Sequence, residues 1–335
     1  MARQIEDFFM LVWQALSGDA LSQGWQTLAL PSAGACTLLA GRHFPGNEEA
    51  LLVGFETIAL SAKQKLPEGR GFLVAPADPY GDGKAWLALT RKPEGSLTLF
   101  ADMVRDVADA LDSEADQGEA KQLSALLGRV RAWQNFMSKT QQPLMAKDVL
   151  GLVGELTFLR RLLEAGITPT VAVEAWVGPR DYEQDFVLGS GAVEVKVTQS
   201  TDGFPVKIGS LEQLSDAEYQ PLFLAGIQLV PSDEGENLPA FVGAVAEALA
   251  SDKYAHAQFM DQLLLAGYHP SHADRYPQGF AQQDFRLLAV DEGFPRLVSG
   301  NVPEGIRKVS YEIDLDKVQG HSVALSDALQ QLGVI

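Results

Sequence analysis

Apolar and polar positions change rhythm partway along this chain. Over the first hundred residues, short apolar runs are separated by Gly and Pro, the pattern of strands joined by turns. Runs at 36–40, 51–55, 71–74, 84–89 and 96–100 predict five strands. A 3.6-residue period then predicts helices near 101–111, 119–138 and 147–165, with 112–118 as a polar joint and Gly166 ending the third. Strand patterning returns over 171–230. Helices near 238–250 and 256–266 follow, with strands around 285–290 and 309–315. The expected organisation is a β-rich N-terminal module over 1–115 and an α/β module over 116–335.

One strand pair breaks the apolar pattern. Residues 184–188 and 193–197 flank Gly189, Ser190 and Gly191, which suit a tight turn, so the segment reads as a β-hairpin. Side chains alternate along a strand, so Glu194 and Lys196 share one face and Val193, Val195 and Val197 the other. A four-residue loop that leaves Leu188 opposite Val193 sets Asp185 opposite Lys196, with Cβ atoms ~5 Å apart and Glu194 on the diagonal. An odd register would send Asp185 to the other face. As plain structure this is a half-exposed cross-strand ion pair. As chemistry it is a phosphodiesterase pattern: acids to hold Mg²⁺ or Mn²⁺, and a lysine beside the attacking water. Two further Asp/Glu-x-Lys tripeptides, Asp82-Gly83-Lys84 and Glu119-Ala120-Lys121, fall in a turn and a helix, where this geometry does not arise.

A third acid lies on the helix expected near 147–165. Glu155 neighbours Leu152, Phe158, Leu159 and Leu162 within the apolar stripe, where a carboxylate is costly unless paired or metal-bound. The plainer alternative puts Glu155 at the stripe's edge, paired with an Arg. Gly151 and Gly154 would let this helix approach a sheet closely, against a helix-propensity cost of ~1 kcal/mol each.

Composition narrows the classes. With 46% hydrophobic and 21% charged residues the chain can build a substantial core, and the single Cys36 excludes a disulfide framework or a cysteine zinc site. A net charge of −18 argues against broad adhesion to nucleic acid, while leaving a local site or a partner-assisted one open. The apolar run 8–13 follows Glu6 and Asp7 rather than basic residues, unlike a signal peptide, and nothing approaches the ~20 apolar residues of a membrane span. The expected location is the cytoplasm. His269 and His272 flank Pro270 and read as a surface loop, and Gly81–Lys84 lacks phosphate-loop spacing. Gln213 reads as a capping-box residue of a helix starting after Ser210. Arg180 and Lys207 read as surface charge or as phosphate contacts.

The order Gly151-x-x-Gly154-Glu155-x-x-Phe158-Leu159, Trp176-x-Gly178, Asp185-Phe186 and Glu194-Val195-Lys196 resembles the PD-(D/E)XK nuclease superfamily. More narrowly, it is similar to uncharacterised PD-(D/E)XK-motif proteins of bacterial restriction-modification and defence loci. The resemblance implies an α/β (α+β), restriction-endonuclease-like core, a mixed sheet flanked by helices, over 116–335. It implies Asp185, Glu194, Lys196 and Glu155 as catalytic residues, with Asp185, Glu194 and Glu155 holding Mg²⁺ or Mn²⁺. Gln184 stands where the motif's Pro would be. The implied activity is hydrolysis of DNA, or else RNA, in a restriction or phage-defence system with protein partners from that system. The alternative is a non-catalytic binding or assembly subunit that keeps the fold.

Overall fold

The computed structural model describes residues 8–18, 23–31, 33–58, 65–139, 144–180 and 182–335. Glu6 and Asp7 therefore lie outside the described residues. The chain forms two compact units, Met1–Gln142 and Pro143–Ile335, a division one helix later than the one expected near 115.

The first unit contains α1 (Phe8–Ala15), β1 (Gly24–Ala29), β2 (Thr37–Phe44), β3 (Glu48–Phe55), β4 (Phe72–Ala77), β5 (Ala85–Arg91), α2 (Leu97–Ser113) and α3 (Glu119–Lys139). Its five strands make an antiparallel sheet in the order β1-β2-β3-β5-β4. Central β3 is buried from Glu49 to Phe55, so its unbroken apolar run suits a strand covered on both faces. The strand expected at 96–100 is instead the start of α2. Ser96 caps that helix, its Oγ accepting the Leu99 N–H at 3.4 Å. Leu97, Leu99 and Phe100 suit either element. The helix prevails because Phe100, Met103, Val104, Val107 and Leu111 then form one buried stripe.

The second unit contains α4 (Ala146–Glu164), α5 (Pro169–Ala175), β6 (Phe186–Leu188), β7 (Gly191–Thr198), β8 (Pro205–Ile208), β9 (Leu222–Asn237), α6 (Leu238–Ala248), α7 (Lys253–Leu265), β10 (Gly279–Ala289), β11 (Tyr311–Asp314) and α8 (Leu325–Leu332). A mixed sheet runs β10-β9-β7-β6, with β7 and β9 parallel and the outer pairs antiparallel, and β8 pairs with β11 in a separate ribbon. Short α5 lies where strands were expected. Pro169 opens it at a position that needs no backbone N–H, and Ala172, Val173 and Ala175 are buried. No helix follows Ser210 either: Gln213 Oε1 accepts the Gly209 N–H at 2.7 Å and closes an irregular loop.

Both faces of β7 are covered. Val193 and Val195 join the core formed with Val153, Leu156 and Leu159 of α4, each fully buried apolar side chain contributing roughly 1.5–3 kcal/mol. The helix comes so close that a β-carbon on Gly154 would collide with Val197. On the other face, Ala192, Leu222 and Leu224 pack with Phe204, Val206 and Ile208, so a strand and a loop make the connection from β7 to parallel β9. Gly226, level with Lys196, admits Leu315, whose Cδ1 would lie 2.6 Å from an added β-carbon.

Gly154→Val is therefore expected to destabilise the protein by roughly 1–3 kcal/mol through overpacking against β7. A chemical-denaturation midpoint equal to wild type would show that α4 has room to retreat.

Candidate functional site

The site is built where a short strand ends beside a longer one. The β6–β7 turn contains only Gly189 and Ser190, and the register is Phe186↔Val193, Val187↔Ala192 and Leu188↔Gly191. The hairpin is thus two residues tighter than expected. Gly191 belongs to the strand, paired with Leu188, and a β-carbon there would strike the Pro221 carbonyl. Gly189 takes φ 60° in the turn, where a side chain would strike the Leu332 carbonyl. A shift of two preserves side-chain facing, but it brings Asp185 level with Glu194 rather than Lys196.

β6 begins at Phe186 while β7 continues to Thr198, so the Val195 N–H points to an edge where β6 has no residue to pair with it. Asp185 Oδ2 accepts that N–H at 2.8 Å, a carboxylate standing in for the missing strand. The Asp185 carbonyl in turn accepts the N–H groups of Val177 and Gly178, both at 2.9 Å. Glu194 is 1% exposed. Its Oε1 accepts from Lys196 Nζ, and its buried Oε2 has no hydrogen-bond partner among the described residues. Lys196 is half-buried.

Glu155 reaches the same place from α4. Its partner is not an Arg: Oε2 accepts the Trp176 indole N–H at 2.7 Å. A β-carbon on Gly178 would lie 3.0 Å from Asp185 Oδ1 and 3.2 Å from Glu155 Oε2, so this glycine leaves a gap bordered by both carboxylates. Trp176 and Gly178 were visible in the sequence only as a motif without a role. The available signal was chemical, since a buried indole needs an acceptor. Arg180 is exposed at the end of the turn Gly178–Arg180, and Lys207 is exposed on β8 level with Glu312. The region of His269 and His272 includes a 3₁₀ turn, Pro270–Arg275.

Burial pushes the Glu155 carboxyl up to about 8. The charge of Asp185 adds to this, and the Trp176 hydrogen bond and Lys196 oppose it. Burial likewise raises Asp185, against the pull of Lys196 and the Val195 N–H. Burial and then Asp185 lift Glu194 well above the carboxylate range. For Lys196, burial favours the neutral amine, but Glu194 and Asp185 outweigh it and keep the ammonium.

No three Asp, Glu, His or Cys side chains among the described residues form a ready-made metal cage. The donor set nevertheless fits a hard divalent cation. It offers three carboxylates, an orphaned Glu194 oxygen and no side chain at Gly178 beside two of the acids, and its negative charge is only partly offset by Lys196.

Asp185 beside a strand bearing Glu194 and Lys196, joined by Glu155 from α4, is the residue set on which the sequence resembles PD-(D/E)XK proteins. The family model DUF4420, described as "Putative PD-(D/E)XK family member", matches residues 10–316, and the chain belongs to this family. Neither the curated proteins nor the solved structures contain a match to the chain.

An acid whose pKa is higher in the folded than in the unfolded chain binds its proton more tightly when folded. That stabilisation is present at low pH and is lost as pH rises through the folded value. The contribution of Glu155 to the stability of metal-free protein is therefore expected to fall between about pH 4.5 and about pH 8. Thermal melts of wild type and Glu155→Gln across that window measure it; parallel curves would contradict it. Gly178→Ala is expected to weaken Mn²⁺ binding by ~10-fold or more by filling the gap between Asp185 and Glu155. Calorimetric titration reads this directly, and unchanged affinity would remove the gap from the site.

Proposed function

We propose that this protein is a Mg²⁺- or Mn²⁺-dependent nuclease that hydrolyses phosphodiester bonds of DNA, acting in the cytoplasm within a bacterial restriction or phage-defence system. The second unit serves as a restriction-endonuclease-like core. The observation that carries the reading is the meeting of Asp185, Glu194 and Lys196 with Glu155 at the open end of β6. Family membership supports it. Among the described residues no helix is long and apolar enough to cross a membrane.

In this reading Asp185, Glu194 and Glu155 hold the cation. When bound, it supplies an acidified water and offsets charge on the phosphate in the transition state. The Val195 N–H fixes the Asp185 carboxylate at the sheet edge. Lys196 carries its proton, so it works as a cation and donor that orients water and balances charge on the scissile phosphate. Gly178 keeps side-chain bulk out of the space beside the two acids.

One observation favours a second reading, a non-catalytic subunit that retains the fold: the net charge of −18 repels a polyanionic substrate. Incubation of purified protein and Mg²⁺ or Mn²⁺ with a panel of DNA and RNA separates the two. Metal-dependent DNA cleavage is expected, and Lys196→Ala and Asp185→Ala are each expected to lower it by ~10²-fold or more with circular dichroism unchanged. Cleavage that persists in both variants would sink the assignment. Metal binding without cleavage of any substrate would favour the subunit.

A further inference from the structure

Residues 176–178 hold two of the three acids at once, and they do so by different means. The Trp176 indole N–H donates to Glu155 Oε2, while the backbone N–H groups of Val177 and Gly178 donate to the Asp185 carbonyl. Trp176 also forms an isolated antiparallel bridge with Phe186, the residue after Asp185. Glu155 comes from α4 and Asp185 from the entry to β6, so this short segment ties together side chains that the helix and sheet do not themselves bring into register.

The tryptophan is itself held firmly. It is fully buried, and its ring lies 6.0 Å from that of Phe259 at 38°. Its carbonyl accepts from Gln262 Nε2 at 2.9 Å, and Gln262 is fully buried too. Both partners are on α7, a helix that contributes none of the four proposed catalytic side chains. A buried polar amide spent on fixing one backbone carbonyl is unusual where an apolar residue would pack as well. The indole has a single N–H and no acceptor, so its only polar bond goes to Glu155.

A merely apolar role for Trp176 would be met by phenylalanine, which fills much of the same space without an N–H. An indole satisfied by a neutral carbonyl would meet the demands of folding at lower cost. Donation to a buried carboxylate does something more specific: it occupies one oxygen of Glu155, fixes the carboxylate plane, and leaves the other oxygen for a ligand. Without this bond, Glu155 is free to swing away from Asp185 toward solvent, where a charged side chain is better hydrated.

We infer that Trp176 is a positioning residue for the metal site: held by Phe259 and Gln262 of α7, it presets the Glu155 carboxylate beside Asp185. The inference rests on the reading of Glu155, Asp185 and Glu194 as cation ligands.

The test uses the full-length protein and Mn²⁺ alone, with no nucleic acid. Calorimetry on wild type, Trp176→Phe, Glu155→Gln and the double variant forms a double-mutant cycle. Trp176→Phe is expected to weaken Mn²⁺ binding by ~10–100-fold, the range found for partners that orient metal ligands. The expected signature is non-additivity: in the Glu155→Gln background the same substitution changes affinity little. An equal loss in both backgrounds, or no loss in either, overturns the inference while metal binding by wild type keeps the underlying site intact. Absence of Mn²⁺ binding by wild type overturns both.

A merely structural tryptophan would lower thermal stability without this coupling. Should Trp176→Phe fail to fold, protein labelled with ¹⁵N at the indole nitrogens supplies the second measurement. One of its indole signals is expected to shift on Mg²⁺ addition in wild type and to stay still in Glu155→Gln. Absence of a Mg²⁺-dependent indole shift in wild type, or an equal shift in both proteins, counts against the inference.

Discussion

Three carboxylates, Asp185, Glu194 and Glu155, crowd one sheet edge of the second unit, and the groups around them must offset the repulsion their charged forms would feel. Asp185 Oδ1 and Glu155 Oε2 border a common gap at Gly178 and so lie at most about 6 Å apart. Two unit charges at that distance repel by about 3 kcal/mol at an effective dielectric of ~20. A hydrogen bond to a charged group returns ~1.5–3 kcal/mol. The bonds from Trp176 and the Val195 N–H therefore roughly match one such repulsion. Glu194 adds further repulsion, and burial adds desolvation. The chain's own answer is partial: Lys196 stays charged, and the acids hold their protons more tightly than usual. A region this poorly compensated is a poor investment for a scaffold, and strain of this kind concentrates at functional sites.

The surrounding fold is what makes the repulsion sustainable. β6 stops early enough to free the Val195 N–H for Asp185, and a longer β6 would have paired that group and displaced the carboxylate. Gly154 lets α4 press onto β7 and deliver Glu155, while Gly226 lets Leu315 and Phe204 close the opposite face. The site thus has an apolar layer on each side of its strand. Those layers exclude water from Glu194, and that exclusion both raises its pKa and sharpens its demand for a positive partner.

The parts legible in the sequence were those governed by local periodicity. Alternation along 193–197 put Glu194 and Lys196 on one face, and the 3.6-residue stripe around Glu155 marked a carboxylate turned inward. The register was not legible. It depends on Gly189 and Gly191 meeting the carbonyls of Leu332 and Pro221, contacts made with residues far along the chain. The expected strand at 96–100 failed for a related reason: its apolar spacing fits two periods, and burial across all of α2 decides between them. Gln213 carried a capping signal, but the bond it makes, to the Gly209 N–H, closes a loop rather than starting a helix. Trp176 was conspicuous, yet its acceptor was hidden, because no sequence rule pairs an indole with a carboxylate 21 residues earlier.

The acidic charge of the chain and a nucleic-acid site look contradictory only if affinity and chemistry must come from the same groups. Counter-charge spread over a surface gives affinity, and a few groups at one point give chemistry. Lys196 illustrates the separation. It is the lysine of the motif, but its ammonium is bonded to Glu194 and balanced by Asp185, so it adds little net attraction for a distant phosphate. The same pairing keeps it ordered and charged at the place where a phosphate would need it. A cluster balanced in this way exerts its field at short range and little at long range. If the protein acts on a polyanion as proposed, long-range capture would have to come from charge outside the cluster, because Lys196 is already paired with Glu194.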